Sequence, residues 1–268
     1  QEAPVSRRGS FLLVLAAMAL AAVPARAGED HPRRSFEVPH ALAATDSIRY
    51  AACVQSGNKI GMTQTNYGFV GTNFSSFASS FEYPLGSSHM HMVRGGPWVG
   101  AISADADGNI FTGVSTATED GSAGSNAAGA GEFTPAGSAV GARSSLPNSR
   151  FYDPASTSEL DFISSYSDEP ADHSKRHVPL NILVNQYTFE WSFSDYAHFV
   201  LFHYVVHNQG QPLRQVWLGT YDEFASGNMR LQSTYPPVGW FSKKYITWVD
   251  SLNMLTERYC QSRLYPSQ

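Results

Sequence analysis

Charge is scarce in this chain: only 15% of its 268 residues are Asp, Glu, Lys or Arg, and no basic run exceeds two residues. With a formal net charge of −5 it has no electrostatic footprint for DNA, RNA or an anionic membrane. Cysteine is scarcer still. Cys53 and Cys260 are the only two, which excludes a disulfide-dense scaffold, a zinc knuckle and a CxxC redox pair. In an exported protein two such thiols can bridge or stay separate, and their spacing leaves both open. No Gly-x-Ser-x-Gly elbow is present, so the usual setting of a serine nucleophile is missing. His203 and His207 flank Tyr-Val-Val and lack the Glu of a zincin motif. No internal repeat is visible.

Aromatics make up 13% of the chain, and 22 glycines provide turns, a mixture suited to β-structure. At the N-terminus, Arg7 and Arg8 precede an apolar run from Phe11 to Val23, followed by Ala25-Arg26-Ala27. That order predicts a secretory signal peptide over residues 1–27, cleaved after Ala27. The run of about 13 residues falls short of the roughly 20 that span a bilayer, so the mature chain is expected to have no transmembrane helix. Residues 28–58 read as a polar leader. Gln1 stands where an initiator Met is expected, and the chain ends at Gln268 without a terminal signal; a piece of a longer protein is the expectation.

Residues 59–268 read as one β-rich module. Trp98–Ala104 and Ile110–Thr118 are β-prone runs separated by Asp-Ala-Asp-Gly-Asn, which predicts a hairpin because Gly108 can take positive φ. The Gly/Ala/Ser-rich stretch 119–145 holds few large apolar residues, and an insertion or long excursion is expected there. Asn181–Phe193 alternates Tyr187, Phe189 and Trp191 with Thr188, Glu190 and Ser192, predicting a strand with one dry and one wetter face. Ala197–His207 is apolar on both faces and should lie centrally. Leu213–Phe224 should return as the third strand of a meander. Beyond Pro236-Pro237, Tyr245, Val249, Leu252, Leu255 and Tyr259 recur at three- and four-residue steps. They predict an amphipathic helix over about 242–259 with Ser242 as N-cap.

The candidate chemistry is thin. Asp105, Asp107 and Asn109 resemble the start of a Ca²⁺ loop, but Gly108 and Thr116 are out of place for an EF-hand, and a plain turn accounts for the same residues. His89 and His91, and His203 with His207, share strand faces, with His198 opposite the second pair; such spacings can bind Zn²⁺ or Cu²⁺, though core or rim histidines explain them equally. Glu82, Asp153, Asp161, Asp195, Asp222 and Glu223 are carboxylates of which two could meet as a glycosidase pair, and spacing selects none. Trp98, Trp217, Trp240 and Tyr235 are candidates for a sugar-stacking platform. No catalytic, cofactor-binding or metal residue is assigned on these grounds, and no cofactor is expected.

Several segments in order carry a family resemblance: Asn66-Tyr67-Gly68-Phe69-Val70-Gly71, Tyr83-Pro84, Gly95-Gly96-Pro97-Trp98-Val99-Gly100, Phe189-Glu190-Trp191-Ser192, Phe199–Asn208, Trp217-Leu218-Gly219-Thr220-Tyr221-Asp222, and Trp240–Lys244 leading to Val249–Leu252. Over residues 60–118 and 160–258 the chain resembles the N-terminal module of large surface or secreted proteins of Gram-negative bacteria. Those proteins often end in an immunoglobulin-like sorting domain of the type IX secretion kind. The resemblance implies export and a β-sandwich and supplies no catalytic residues. The chain departs from it where Asp222-Glu223 runs into Phe224-Ala225 instead of an acidic D-x-D-like turn, and it carries no sorting region.

The combined expectation is a mainly β, antiparallel, jelly-roll-like β-sandwich with a C-terminal amphipathic helix. Its expected location is the periplasm, outer surface or extracellular space. The expected role is a non-catalytic structural or interaction module, with surface polysaccharide or other surface proteins as partners and no nucleic acid. The alternative is a carbohydrate-binding module, and a secreted hydrolase comes third.

Overall fold

The structure, a computed structural model, describes residues 8–16, 51–72, 78–105, 107–118, 131–137, 139–169, 177–225 and 244–259. In chain order the strands are β1 (Arg8–Ala16), β2 (Ala52–Gln55), β3 (Gly61–Thr65), β4 (Val70–Gly71), β5 (Ser80–Glu82), β6 (Met92–Ala104), β7 (Ile110–Thr116), β8 (Thr134–Pro135), β9 (Gly141–Arg143), β10 (Leu160–Ser167), β11 (Ile182–Glu190), β12 (Phe199–Asn208), β13 (Arg214–Phe224), β14 (Lys244–Val249) and β15 (Met254–Tyr259). The protein is mainly β and its sheets are antiparallel, an arrangement consistent with a β-sandwich. One sheet runs β1-β12-β11-β10-β8, with β9 also on β10; the second runs β13-β6-β4-β3-β2, with β5 on β3 and β7 on β6.

A single core joins the two sheets. Ile60, Met62, Val70, Met92 and Val99 from the second meet Tyr166, Ile182, Val184, Val200, Phe202 and Tyr204 from the first, all buried. β12 explains its own position through alternation. Val200, Phe202, Tyr204 and Val206 point into the core, while Leu201, His203, Val205 and His207 are half-covered on the other face.

The expected hairpin forms: β6 and β7 pair from Ala104–Ile110 to Trp98–Thr116. Gly108 takes a φ of 84° in the turn, a conformation that would press a Cβ against the backbone in any other residue. The expected meander differs from the structure. β10, β11 and β12 form one, but Leu213–Phe224 crosses to the other sheet, where β13 pairs with β6. β12 takes β11 on one edge, while the residues of β13 find their partners along β6, from Arg214 opposite Ile102 to Phe224 opposite Met92.

The predicted helix over 242–259 is corrected to a hairpin, β14 against β15, joined by a 3₁₀ turn at Asp250–Leu252 with Asn253 in the left-handed region. β-branched and aromatic residues (Ile246, Thr247, Trp248, Val249, Thr256) favour the pleated state, and the three- and four-residue spacing is coincidental. Trp248 faces Leu255 across the ladder. Ser242, its expected N-cap, lies outside the described residues.

Two further segments differ from expectation. Within the stretch 119–145, residues 119–130 lie outside the described residues, but from Gly131 on the chain joins β10 through β8 and β9. Phe133 is the cause: it is buried edge-on against the Tyr166 ring at 5.0 Å between centroids. Ala52–Gln55, inside the expected polar leader, forms β2 on β3. At the N-terminus Arg8–Ala16 is extended and pairs along β12, from Arg8 opposite His207 to Ala16 opposite Phe199. No helix among the described residues is long and apolar enough to cross a membrane.

Candidate functional site: an aromatic and glycine face, and a buried polar seam

The outward face of β6, β7 and β13 carries Trp98, Trp217 and Tyr221, of which Trp217 is exposed. Residues directly opposite on antiparallel strands share a face, and here each large ring faces a glycine: Trp217 opposite Gly100, Trp98 opposite Gly219, and Tyr221 opposite Gly96. Val114 sits on the other side of Gly100. Trp98 and Tyr221 stack with centroids 5.7 Å apart and planes 13° from parallel, and Trp98 Nε1 donates to the Thr118 carbonyl at 2.7 Å. Trp217 is 77% exposed and Ile110, farther along the same face, 73%. Above Gly219 the space is open: a Cβ placed there would meet nothing within 4 Å. Of the expected sugar-stacking residues, Trp98 and Trp217 are brought together here, while Tyr235 and Trp240 lie outside the described residues.

Between the sheets runs a seam that the sequence does not announce. The Gln186, Thr188 and Glu190 face of β11 is the one turned into the core, and Tyr187 and Phe189, stacked 8° from parallel, occupy the opposite face and are also buried. Gln55 Nε2 donates to Gln64 Oε1 and to Thr188 Oγ1 (2.9 Å), Thr188 Oγ1 donates to Gln64 Oε1 (2.8 Å), and Gln64 Nε2 donates to Ser164 Oγ (3.2 Å). Tyr166 Oη donates to Gln186 Oε1 at 2.9 Å. At one end Glu190 Oε2 accepts the Gly57 N–H at 2.5 Å. Burial pushes the Glu190 carboxyl up to about 8, so it is mostly protonated at neutral pH. Burial, with Glu190 nearby, pushes the half-buried Cys53 thiol up to about 12, which removes it as a thiolate nucleophile. Cys260 lies outside the described residues, and with it the question of pairing.

A serine, a histidine and an aspartate do come together, wired for structure. Asp168 Oδ2 accepts from Ser115 Oγ (2.8 Å) and the Leu180 N–H (2.6 Å), and Oδ1 accepts the Ile182 N–H (2.8 Å). His177 Nε2 lies 3.4 Å from Ser115 Oγ and 4.0 Å from Asp168 Oδ2. A catalytic relay needs the imidazole between hydroxyl and carboxylate, whereas here the hydroxyl proton goes straight to the carboxylate and one ring nitrogen faces both. Asp168 is a clamp on the chain entering β11. Residues 62 and 53 positions from their partners carry no local signal, which is why spacing could not reveal this cluster.

The other sequence candidates disperse. Asp105 uses both carboxylate oxygens within its own turn, accepting from the Asp107 and Asn109 N–H groups and from Asn109 Nδ2; those bonds hold its carboxyl below the ordinary range. His91 lies against the Ala225 and Tyr83 carbonyls, His198 against Tyr83 Oη at 2.7 Å, and His207 against Asn185 at 3.0 Å. His203 packs on the Tyr187 ring and burial lowers its pKa, while His89 is exposed. Among the described residues no group of three His, Cys, Asp or Glu side chains could hold a metal ion. Glu82 accepts from Ser79 and Ser88, Asp161 from Thr157 and Ser158, and Asp153 and Asp161 lie 3.9 and 4.0 Å from Arg143. Glu223 pairs with Arg94 at 3.0 Å, and Asp195 sits exposed beside Ser194. Asp222 accepts from Thr220, and burial raises its carboxyl to about 6. Two open concavities, of about 590 and 330 Å³, lie beside the β6–β7 turn and over Gly57, away from the aromatic face.

No protein-family model, characterised protein or solved structure matches the chain.

Proposed function

We propose that the chain is a non-catalytic interaction module of an exported protein, built as a jelly-roll-like β-sandwich. Its working surface is the outward face of β6, β7 and β13. The observation that carries this reading is the exposure of Trp217 at 77% on a three-strand face, just past an irregularity in β13 at Gln215, with Ile110 and Val114 exposed on the same face. Large apolar side chains held outward on paired strands, where no local packing requires them, mark a surface that meets something. Export is supported by the Arg7-Arg8, Phe11–Val23 and Ala25-Arg26-Ala27 order, and by the resemblance to exported bacterial modules carried by the segments between Asn66 and Leu252.

Two measurements test the reading. Secretion of the full chain from a Gram-negative host should yield a product whose N-terminus, by mass spectrometry, is Gly28; retention of an unprocessed chain in the cytoplasm would refute export. A panel of ester, glycoside, peptide and phosphoester substrates should show no turnover above buffer, and reproducible turnover by purified protein would refute the non-catalytic role.

A further inference from the structure

We infer that the outward face of β6, β7 and β13 is a binding platform for a neutral polysaccharide, with Trp217 as the stacking ring and Gly219 and Gly100 as the floor of its subsite. This deepens the proposed interaction role and rests on it. Trp217 and Tyr221 lie four residues apart on β13 and project on the same side, so their attachment points stand roughly 13 Å apart. Between them is Gly219, over which the space is open. Gly100, opposite Trp217, has only ordinary contacts at 3.7 Å and beyond. A ring with a glycine opposite it and another glycine two residues along presents its face to a slot with a backbone floor.

That shape suits a pyranose, whose C–H face stacks on an aromatic ring while its equatorial hydroxyls reach sideways. The flanks supply uncharged and cationic hydrogen-bonding groups: Thr112 on β7, and Gln215 and Arg214 on β13, all exposed. The charges at the far end, Arg94 and Glu223, are paired with each other at 3.0 Å. Among the described residues Arg214 is the exposed charge beside the rings; it lies on the far side of Trp217 from Gly219, so the slot over Gly219 is itself uncharged and suits a neutral sugar. A protein partner would need a filled apolar patch, and the glycines break this one into a ring and a slot.

Affinity electrophoresis of the full chain through gels containing a soluble β-glucan, galactomannan, xylan or anionic alginate tests the inference. At least one neutral polymer should retard the protein, and alginate should not. Trp217→Ala should weaken retardation about tenfold or more, as expected for removal of an exposed stacking anchor. Gly219→Leu should weaken it similarly by filling the slot, and the open space over Gly219 lets that variant fold, which circular dichroism verifies. Trp248→Ala, on the separate β14–β15 hairpin, should bind as the parent does. If no neutral polymer retards the protein, or if Trp217→Ala and Gly219→Leu bind like the parent, the polysaccharide inference is overturned. Self-association by sedimentation that Trp217→Ala abolishes, without polysaccharide binding, would overturn it while leaving the broader interaction role intact.

Discussion

Replacing Glu190 by Gln tests the seam between the sheets. Glu190 is fully buried, its Oε2 takes the Gly57 N–H, and its Oε1 meets no donor. Burial raises the carboxyl from the ordinary 4.5 to about 8, with the Gly57 bond pulling the other way. The unfolded chain therefore releases this proton near pH 4.5 and the folded chain holds it to about 8. Stability from this group is full below pH 4.5, falls as the pH rises through that interval, and is gone above about 8. At about 1.36 kcal/mol per pH unit the whole interval amounts to roughly 4–5 kcal/mol as an upper bound. The clean window is pH 7 to 8.5. Asp222, raised to about 6, has mostly ionised by then, and Cys53, at about 12, has not begun in the folded state. His203, lowered by burial, acts only on the acid side. Within the window the parent should lose about 1.3 kcal/mol, from the same linkage relation. Glu190→Gln keeps an oxygen for Gly57 and has no proton to lose, so its stability should be flat. Urea unfolding followed by tryptophan fluorescence reads the difference directly. A parent that is flat from pH 7 to 8.5, or a Gln variant that declines in parallel with it, would refute the assignment of Glu190 as a buried neutral acid.

Asp168→Ala should destabilise by about 3–5 kcal/mol, because it strands the Ser115 hydroxyl and the Leu180 and Ile182 N–H groups in the interior. Denaturant midpoints check this, and a loss under 1 kcal/mol would sink the clamp. Asn253→Gly should leave the β14–β15 hairpin intact, since residue 253 sits at φ 48°, ψ 49°, whereas Asn253→Val should cost about 1–2 kcal/mol. Cross-strand nuclear Overhauser contacts between Trp248 and Leu255 would report it; a helical pattern over 244–259 in the parent would contradict the hairpin itself.

Local signals in the sequence were readable where the partner is near. Asp-Gly flanked by β-prone runs led to the β6–β7 hairpin because a turn and its strands are one short segment. The apolar character of Ala197–His207 marked a strand of the core, although only its Val200, Phe202, Tyr204 and Val206 face is buried and the other is half-covered. What escaped was non-local. The crossing of Leu213–Phe224 to β6 is set by pairing with residues far away in the sequence, which no local pattern carries. The wetter face assigned to Thr188 and Glu190 was the natural reading of polar residues in alternation, yet Gln55 and Gln64 from the other sheet supply the partners that let that face turn inward. The helix expected over 242–259 rested on apolar spacing alone, where side-chain branching carried the better information.

The same distinction separates the two aromatic clusters. On β11 the rings of Tyr187 and Phe189 stack on each other, and Tyr187 packs on His203 as well. Both are buried, so their density is a packing feature and removing one would open a cavity. On β13 and β6 the rings stand opposite glycines, so Trp217 gains little from its neighbours across the strand and leaves its face to solvent. A residue that stabilises the fold so little can be replaced with little loss of stability, while one in the β11 stack cannot. Aromatic content therefore says nothing about binding until the residue opposite each ring is known. Here that residue is glycine on three alternate pairs of the β6–β13 ladder, the ones on its outward face, and that is the face proposed for binding.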